Sequence, residues 1–183
     1  MEQEKFAVRA EHLTKIFRDE VTKVPVTALE NLHLSIPAGK MTALTGPDGA
    51  GKTTCLRLIC GLLSPTEGRV EVLGRNVEEK RDEVQSLLGY MPQKFGLYED
   101  LSCMENMNLY ADLHGISKEE REKRYDRLLT MTGLAPFTDR RAGQLSGGMK
   151  QKLGLACTLI RTPALLLLDE PTAGVCLLYT SDA

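Results

Sequence analysis

Short apolar runs broken by glycine and proline fill the first half of the chain, and longer stretches of helical period fill the second. Phe6 to Phe17 and Thr27 to Ile36 predict early strands. In the latter, Leu32, Leu34 and Ile36 alternate with Asn31, His33 and Ser35. Pro37-Ala38-Gly39 predicts a turn. Met41 to Thr45 then predicts a short apolar strand, followed by a glycine-rich loop and a helix from about Lys52 to Leu62. Arg69 to Leu73, between the turn signals Ser64-Pro65 and Gly74-Arg75-Asn76, predicts a further strand, as does Leu88 to Pro92. Ser102 with Glu105 and Ser117 with Glu120 are spaced as capping boxes, and Gly115 and Gly133 stand where helices should end. A helix from about Gly147 to Ile160 should stop before Pro163. Ala164 to Leu168 predicts a strand buried on both faces. The pattern is that of an α/β core carrying a helical insertion.

Composition narrows the class. The chain has 183 residues, 42% hydrophobic and 26% charged, which suits one soluble globular domain rather than a disordered segment. The net charge of -2 comes with no polybasic block, so no nucleic-acid surface is expected. Met1 to Lys5 lack the apolar stretch of a signal peptide, and the longest apolar run near the end, Ala164 to Leu168, is far below the roughly 20 residues of a membrane helix. Any membrane role would come through a partner. Cys55, Cys60, Cys103, Cys157 and Cys176 are odd in number and form no CxxC pair, which favours reduced thiols over disulfides or zinc.

Three motifs carry chemistry. Gly46-Pro47-Asp48-Gly49-Ala50-Gly51-Lys52-Thr53-Thr54 fits GxxxxGK[ST] between a strand and a helix. Glycines let successive N–H groups turn inward toward phosphate oxygens, and the helix start adds partial positive charge. Lys52 would reach the β- and γ-phosphates of ATP, and the Thr53 hydroxyl would bind Mg²⁺. The alternative is a plain glycine-rich turn, but a chance match in such a chain is on the order of one in a few hundred. Next, the apolar strand Leu165 to Leu168 ends in Asp169-Glu170, placing two carboxylates at a strand's C-terminal edge. Asp169 would hold Mg²⁺ and Glu170 would orient or deprotonate the attacking water. Alone, such an acidic turn is usually structural. Finally, in Leu145-Ser146-Gly147-Gly148-Met149-Lys150-Gln151, Ser146 is an N-cap and the two glycines expose N–H groups at a helix start, a second anion site.

Taken together, Walker A at Gly46 to Thr53, LSGGMKQ at Leu145 to Gln151 and Walker B at Leu165 to Glu170 resemble an ABC ATPase, and the resemblance runs from about Phe6 to Val175. It implies a P-loop NTPase (RecA-like) core with an ABC-type β-subdomain and a helical subdomain over about 96–160. It further implies that Phe17 stacks on adenine, with a buried core phenylalanine as the alternative. Gln93 would be the Q-loop glutamine touching Mg²⁺ or the attacking water. Ser146, Gly147, Gly148 and Gln151 would meet the ATP of a second nucleotide-binding domain, in a homodimer or a tandem pair, and hydrolysis would drive a membrane-embedded permease. The stretches Gly46 to Gly51, Leu88 to Leu101 and Leu145 to Gln151 resemble ABC-2-type bacterial drug exporters, more narrowly the N-terminal ATPase domain of a tandem subunit. That implies a cytoplasmic protein peripheral to the inner membrane. Alternatives are a soluble ABC ATPase of translation or DNA repair, and a nucleotide-binding fragment without turnover.

One departure stands out. The family continues past Val175 with an Asp-Pro pair, whereas Cys176-Leu177-Leu178-Tyr179-Thr180-Ser181-Asp182-Ala183 reads as one frame of a transposon-end sequencing adapter. The expectation is therefore a partial domain over 1–175, C-terminally incomplete, with a non-native tail over 176–183. The D-loop aspartate and switch histidine would be missing, since His12, His33 and His114 all precede Walker B. The family's strand after Walker B would lie between the Walker A and Walker B strands, so its loss should leave Leu165 to Leu168 without a neighbour on one side.

Overall fold

The computed structural model describes residues 6–18 and 24–171, so the expectations for Thr172 to Ala183, Cys176 included, lie outside the described residues. The chain divides into two compact units, Met1–Leu88 and Gly89–Ala183.

In the first unit, β1 (Phe6–Arg18) pairs antiparallel with β2 (Pro25–Pro37) on one side and β3 (Glu67–Val72) on the other. A two-residue β4 (Arg75–Asn76) completes a sheet of order β2-β1-β3-β4. Register follows the apolar pattern: Val8 lies between Ile36 and Val72, and Ala10 between Leu34 and Val70. Ala7, Val8, Ala10, Leu13, Val70 and Val72 are buried, as are Cys55, Leu58 and Ile59 of helix α1 (Lys52–Ile59). Fully burying the valines, leucines and isoleucine among them stabilises by about 1.5–3 kcal/mol each. Helix α2 (Arg81–Leu87) closes the unit and buries only Val84.

Two expectations fail here. Arg75-Asn76, read as part of a turn, forms the short edge strand β4. Met41 to Thr45 forms no strand. Met41 is fully exposed, Leu44 is 43% exposed, and no described strand pairs with the segment. Apolar character makes a strand possible, but hydrogen-bonded neighbours make it a strand.

The second unit is mostly helical. β5 (Leu88–Met91) leads into a loop, followed by α3 (Cys103–Leu113), α4 (Lys118–Thr132), α5 (Gly147–Leu159) and β6 (Leu165–Leu168). Serine caps start all three helices. Ser102 and Glu105 form a reciprocal capping box, while the Ser117 and Ser146 hydroxyls accept from the Glu120 and Met149 amides. Gly133 caps α4 in the left-handed conformation, and Gly115 takes that conformation just past α3. The core joins Met107 and Ala111 of α3, Leu128 and Leu129 of α4, and Leu153, Ala156 and Cys157 of α5. Burial pushes the Cys157 thiol up to about 12 and, in the first unit, that of Cys55 up to about 11, so both stay protonated. No disulfide joins the described cysteines.

β6 pairs with β5 alone among the described strands. The prediction of a strand covered on both faces is corrected accordingly, since only Leu167 is buried and its neighbours are half-buried. No helix among the described residues is long and apolar enough to cross a membrane.

Candidate functional site

The predicted site residues fall into two groups, one in each unit. In the first, Gly46 to Ala50 form an exposed loop closed by the Ala50 amide donating to the Pro47 carbonyl at 3.2 Å. Gly49 and Gly51 have φ of 78° and 86°, left-handed values that strain other residues. At Gly51 a Cβ would also lie 2.5 Å from the Ala28 carbonyl oxygen, so the loop enters α1 against β2 with no room for a side chain. Unlike the three serine-capped helices, α1 has no side chain capping its first amides. Lys52 folds its ammonium back onto the Gly46 and Pro47 carbonyls, both at 2.8 Å. An open loop, an uncapped helix start and a tethered cation suit an anion, and phosphate fits that chemistry. Thr53 and Thr54 occupy the first turn of α1.

Phe17, near the end of β1 opposite Val26, is 38% exposed, with the Lys15 ammonium 5.2 Å from the ring centroid. The alternative of a buried core phenylalanine is therefore overturned. Phe6 is exposed too.

In the second unit, Asp169 follows β6 and is buried. Its amide donates to the Met91 carbonyl at 2.9 Å, and its carboxylate accepts from the Tyr90 hydroxyl at 3.4 Å. Glu170 is exposed and holds φ at 51°, a left-handed value for a residue with a side chain. The amide of Gln93, just past β5, donates to the Glu170 carboxylate at 2.7 Å. The structure thus brings together the predicted Q-loop glutamine and the predicted catalytic glutamate. In this unit the Asp169 carboxylate and the Gln93 amide oxygen are hard donors of the kind that suits Mg²⁺.

The Ser146-Gly147-Gly148 helix start is open, with Ser146 and Gly147 exposed. Gln151, one turn on, donates from Nε2 to the Gln93 carbonyl at 3.3 Å, a contact nothing in the sequence announces. Lys150 pairs with Glu99 at 2.7 Å, and that hydrogen bond holds the Glu99 carboxyl below its usual range. Gln93, Phe95, Leu97, Glu99, Lys150 and Gln151 line a cavity of about 250 Å³. Asn106 was also missed. Buried in α3, it donates to the carbonyls of Tyr98, Leu101 and Ser102 and accepts from the Tyr98 amide, fixing the loop that follows Gln93.

Comparison with known proteins agrees with this geometry. The family profile described as ABC transporter matches residues 29–173. The chain is 57% identical over 148 residues to the probable multidrug ABC transporter ATP-binding protein YbhF of Escherichia coli K12, covering 81% of the chain and 26% of that protein. It is 35% identical over 168 residues to the human phospholipid-transporting ATPase ABCA3, covering 92% of the chain and 10% of that protein. It therefore spans only about a quarter and a tenth of these relatives' lengths. Among solved structures, the dimeric bacterial ABC transporter cassette MJ0796 superposes with a TM-score of 0.81 at 31% identity, covering 92% of the chain and 76% of that one. A post-hydrolysis form of MJ0796 bound to ADP and Pi also gives 0.81. With the profile spanning most of its length and the fold matching over 92% of it, the chain belongs to the ABC transporter family and has the mixed α/β fold of an ABC ATPase cassette.

Proposed function

We propose that this chain supplies the ATP-hydrolysing site that powers export through a membrane-embedded permease. The observation that carries the reading is the 2.7 Å bond between Gln93 and Glu170 beside the buried Asp169. Lys52 and the first amides of α1 would bind the phosphates, Phe17 would stack on adenine, and Thr53, Asp169 and Gln93 are the residues that would hold Mg²⁺. When bound, Mg²⁺ supplies neutralisation of the phosphate charge. Glu170 accepts the proton of the attacking water, with Gln93 orienting that water. Ser146, Gly147 and Gly148 offer their open helix start to the ATP of a second cassette, a reading supported by the dimeric MJ0796 structure. Export of drugs is supported by the likeness to YbhF, a probable multidrug ABC transporter protein.

The test is Glu170→Gln in the full-length protein. The variant should bind ATP as before while turnover falls about 10²–10⁴-fold, the usual worth of a positioned base. Turnover near that of the parent removes Glu170 from the chemistry.

A further inference from the structure

Gln93 is held at both ends. Its side chain reaches Glu170, and its carbonyl receives Gln151 from the second turn of α5. A carbonyl only accepts, so the Gln151 nitrogen must face Gln93, which leaves Oε1 as the atom that is buried with no hydrogen-bond partner among the described residues. An unpaired buried oxygen works against folding, so stability alone does not account for a glutamine here. Two more contacts bind the same loop to the same helix. Lys150 pairs with Glu99, and Phe95 packs onto Gly154, where a Cβ would lie 2.9 Å from the ring.

Resting on the reading of Glu170 and Gln93 above, we propose that Gln151 is a positioning residue for hydrolysis. It ties the Gln93 backbone to the helix that begins at Ser146, so that the Gln93 side chain meets Glu170 and displacement of that helix start is passed to the carboxylate. Gln151 then acts within its own cassette, not on the ATP of a second one.

The experiment measures Mg-ATPase kinetics of the full-length protein carrying Gln151→Leu, Gln93→Ala, both together, or Glu170→Gln. Gln151→Leu should lower kcat about ten- to a hundredfold, the scale of a small misplacement at a reacting centre, and leave KM for ATP within about twofold. Its melting temperature should not fall, since leucine removes the orphaned oxygen. Gln151→Met, close to glutamine in length, carries the same expectation where leucine does not fit. In the Gln93→Ala background the leucine change should lower kcat no further, because the side chain it acts through is gone. Amide exchange over Gln93 to Glu99 should quicken in Gln151→Leu. Unchanged kcat, full additivity with Gln93→Ala, or a raised KM at unchanged kcat overturns the assignment. Normal turnover in Glu170→Gln removes instead the reading on which it rests. An inactive Glu170→Gln beside a fully active Gln151→Leu sinks only the role of Gln151.

Discussion

Met41 to Thr45 and Leu165 to Leu168 look alike in the sequence, each a short apolar run leading into a charged or glycine-rich turn at a predicted nucleotide site. In the structure they part. Leu165–Leu168 pairs with β5, buries Leu167 and presents Asp169 and Glu170, while Met41 to Thr45 stays exposed and pairs with no described strand. The difference lies in neighbours. A sheet exists only where a second backbone accepts and donates, and composition is silent about that partner. The Gly46 to Thr53 loop nonetheless keeps its form beside that segment, because Gly51 packs against β2 and Lys52 ties back onto carbonyls of the loop itself.

The largest expected effect probes that independence. Lys52→Ala in the full-length protein should abolish measurable Mg-ATP binding by calorimetry, since it removes the loop's cation. Unchanged affinity would mean that the loop is not the phosphate site. Leu153→Ala, in a fully buried position of the helical core, should cost about 2–5 kcal/mol by denaturant unfolding. A loss under about 1 kcal/mol would show that core to be loosely packed. The two apolar runs are compared directly by Leu167→Ala, expected near 2 kcal/mol, and Met41→Ala, expected within about 0.5 kcal/mol. Equal costs would erase the contrast. Ser102→Ala should lose about 1 kcal/mol with the cap of α3.

The smallest effect concerns pH. Partial desolvation first, and Arg161 second, hold His114 below its ordinary value. The unfolded chain therefore takes up that proton more readily than the folded one, so its contribution is fully present above about pH 6.5 and is lost as pH falls through the lower folded value. Melting temperatures measured across that window should decline less on acidification in His114→Gln than in the parent. Identical slopes would show that His114 is not the group responsible.

Much of the candidate site is legible in the sequence because its parts are local. Gly46 to Thr53, Ser146 to Gly148 and the capping serines act through neighbours within a few residues, so spacing in the sequence reports them. Asn106 escaped notice because its partners sit on a loop that precedes it, and a lone asparagine in a helical run has no visible purpose. The Gln93 contacts with Glu170 and Gln151 span 77 and 58 residues, and they arise only when tertiary packing sets three segments side by side. Helix α2 was missed for a different reason. Its Arg-Asp-Glu opening and single buried Val84 give almost no apolar stripe to read.

The ring of bonds around Asn106 bears on the order of folding. All four of its hydrogen bonds close over eight residues or fewer, beside a capping box that spans three. Loops that short close within roughly 10–100 ns. The Glu11–Arg69 pair joining β1 to β3 must instead bring together residues 58 apart. The local bonds of this loop and of the start of α3 can therefore close before the distant contacts of the same segment, such as Cys103 with Arg140 and Glu99 with Lys150. Pairing of β1 with β3, which joins residues more than 50 apart, is expected to follow more slowly.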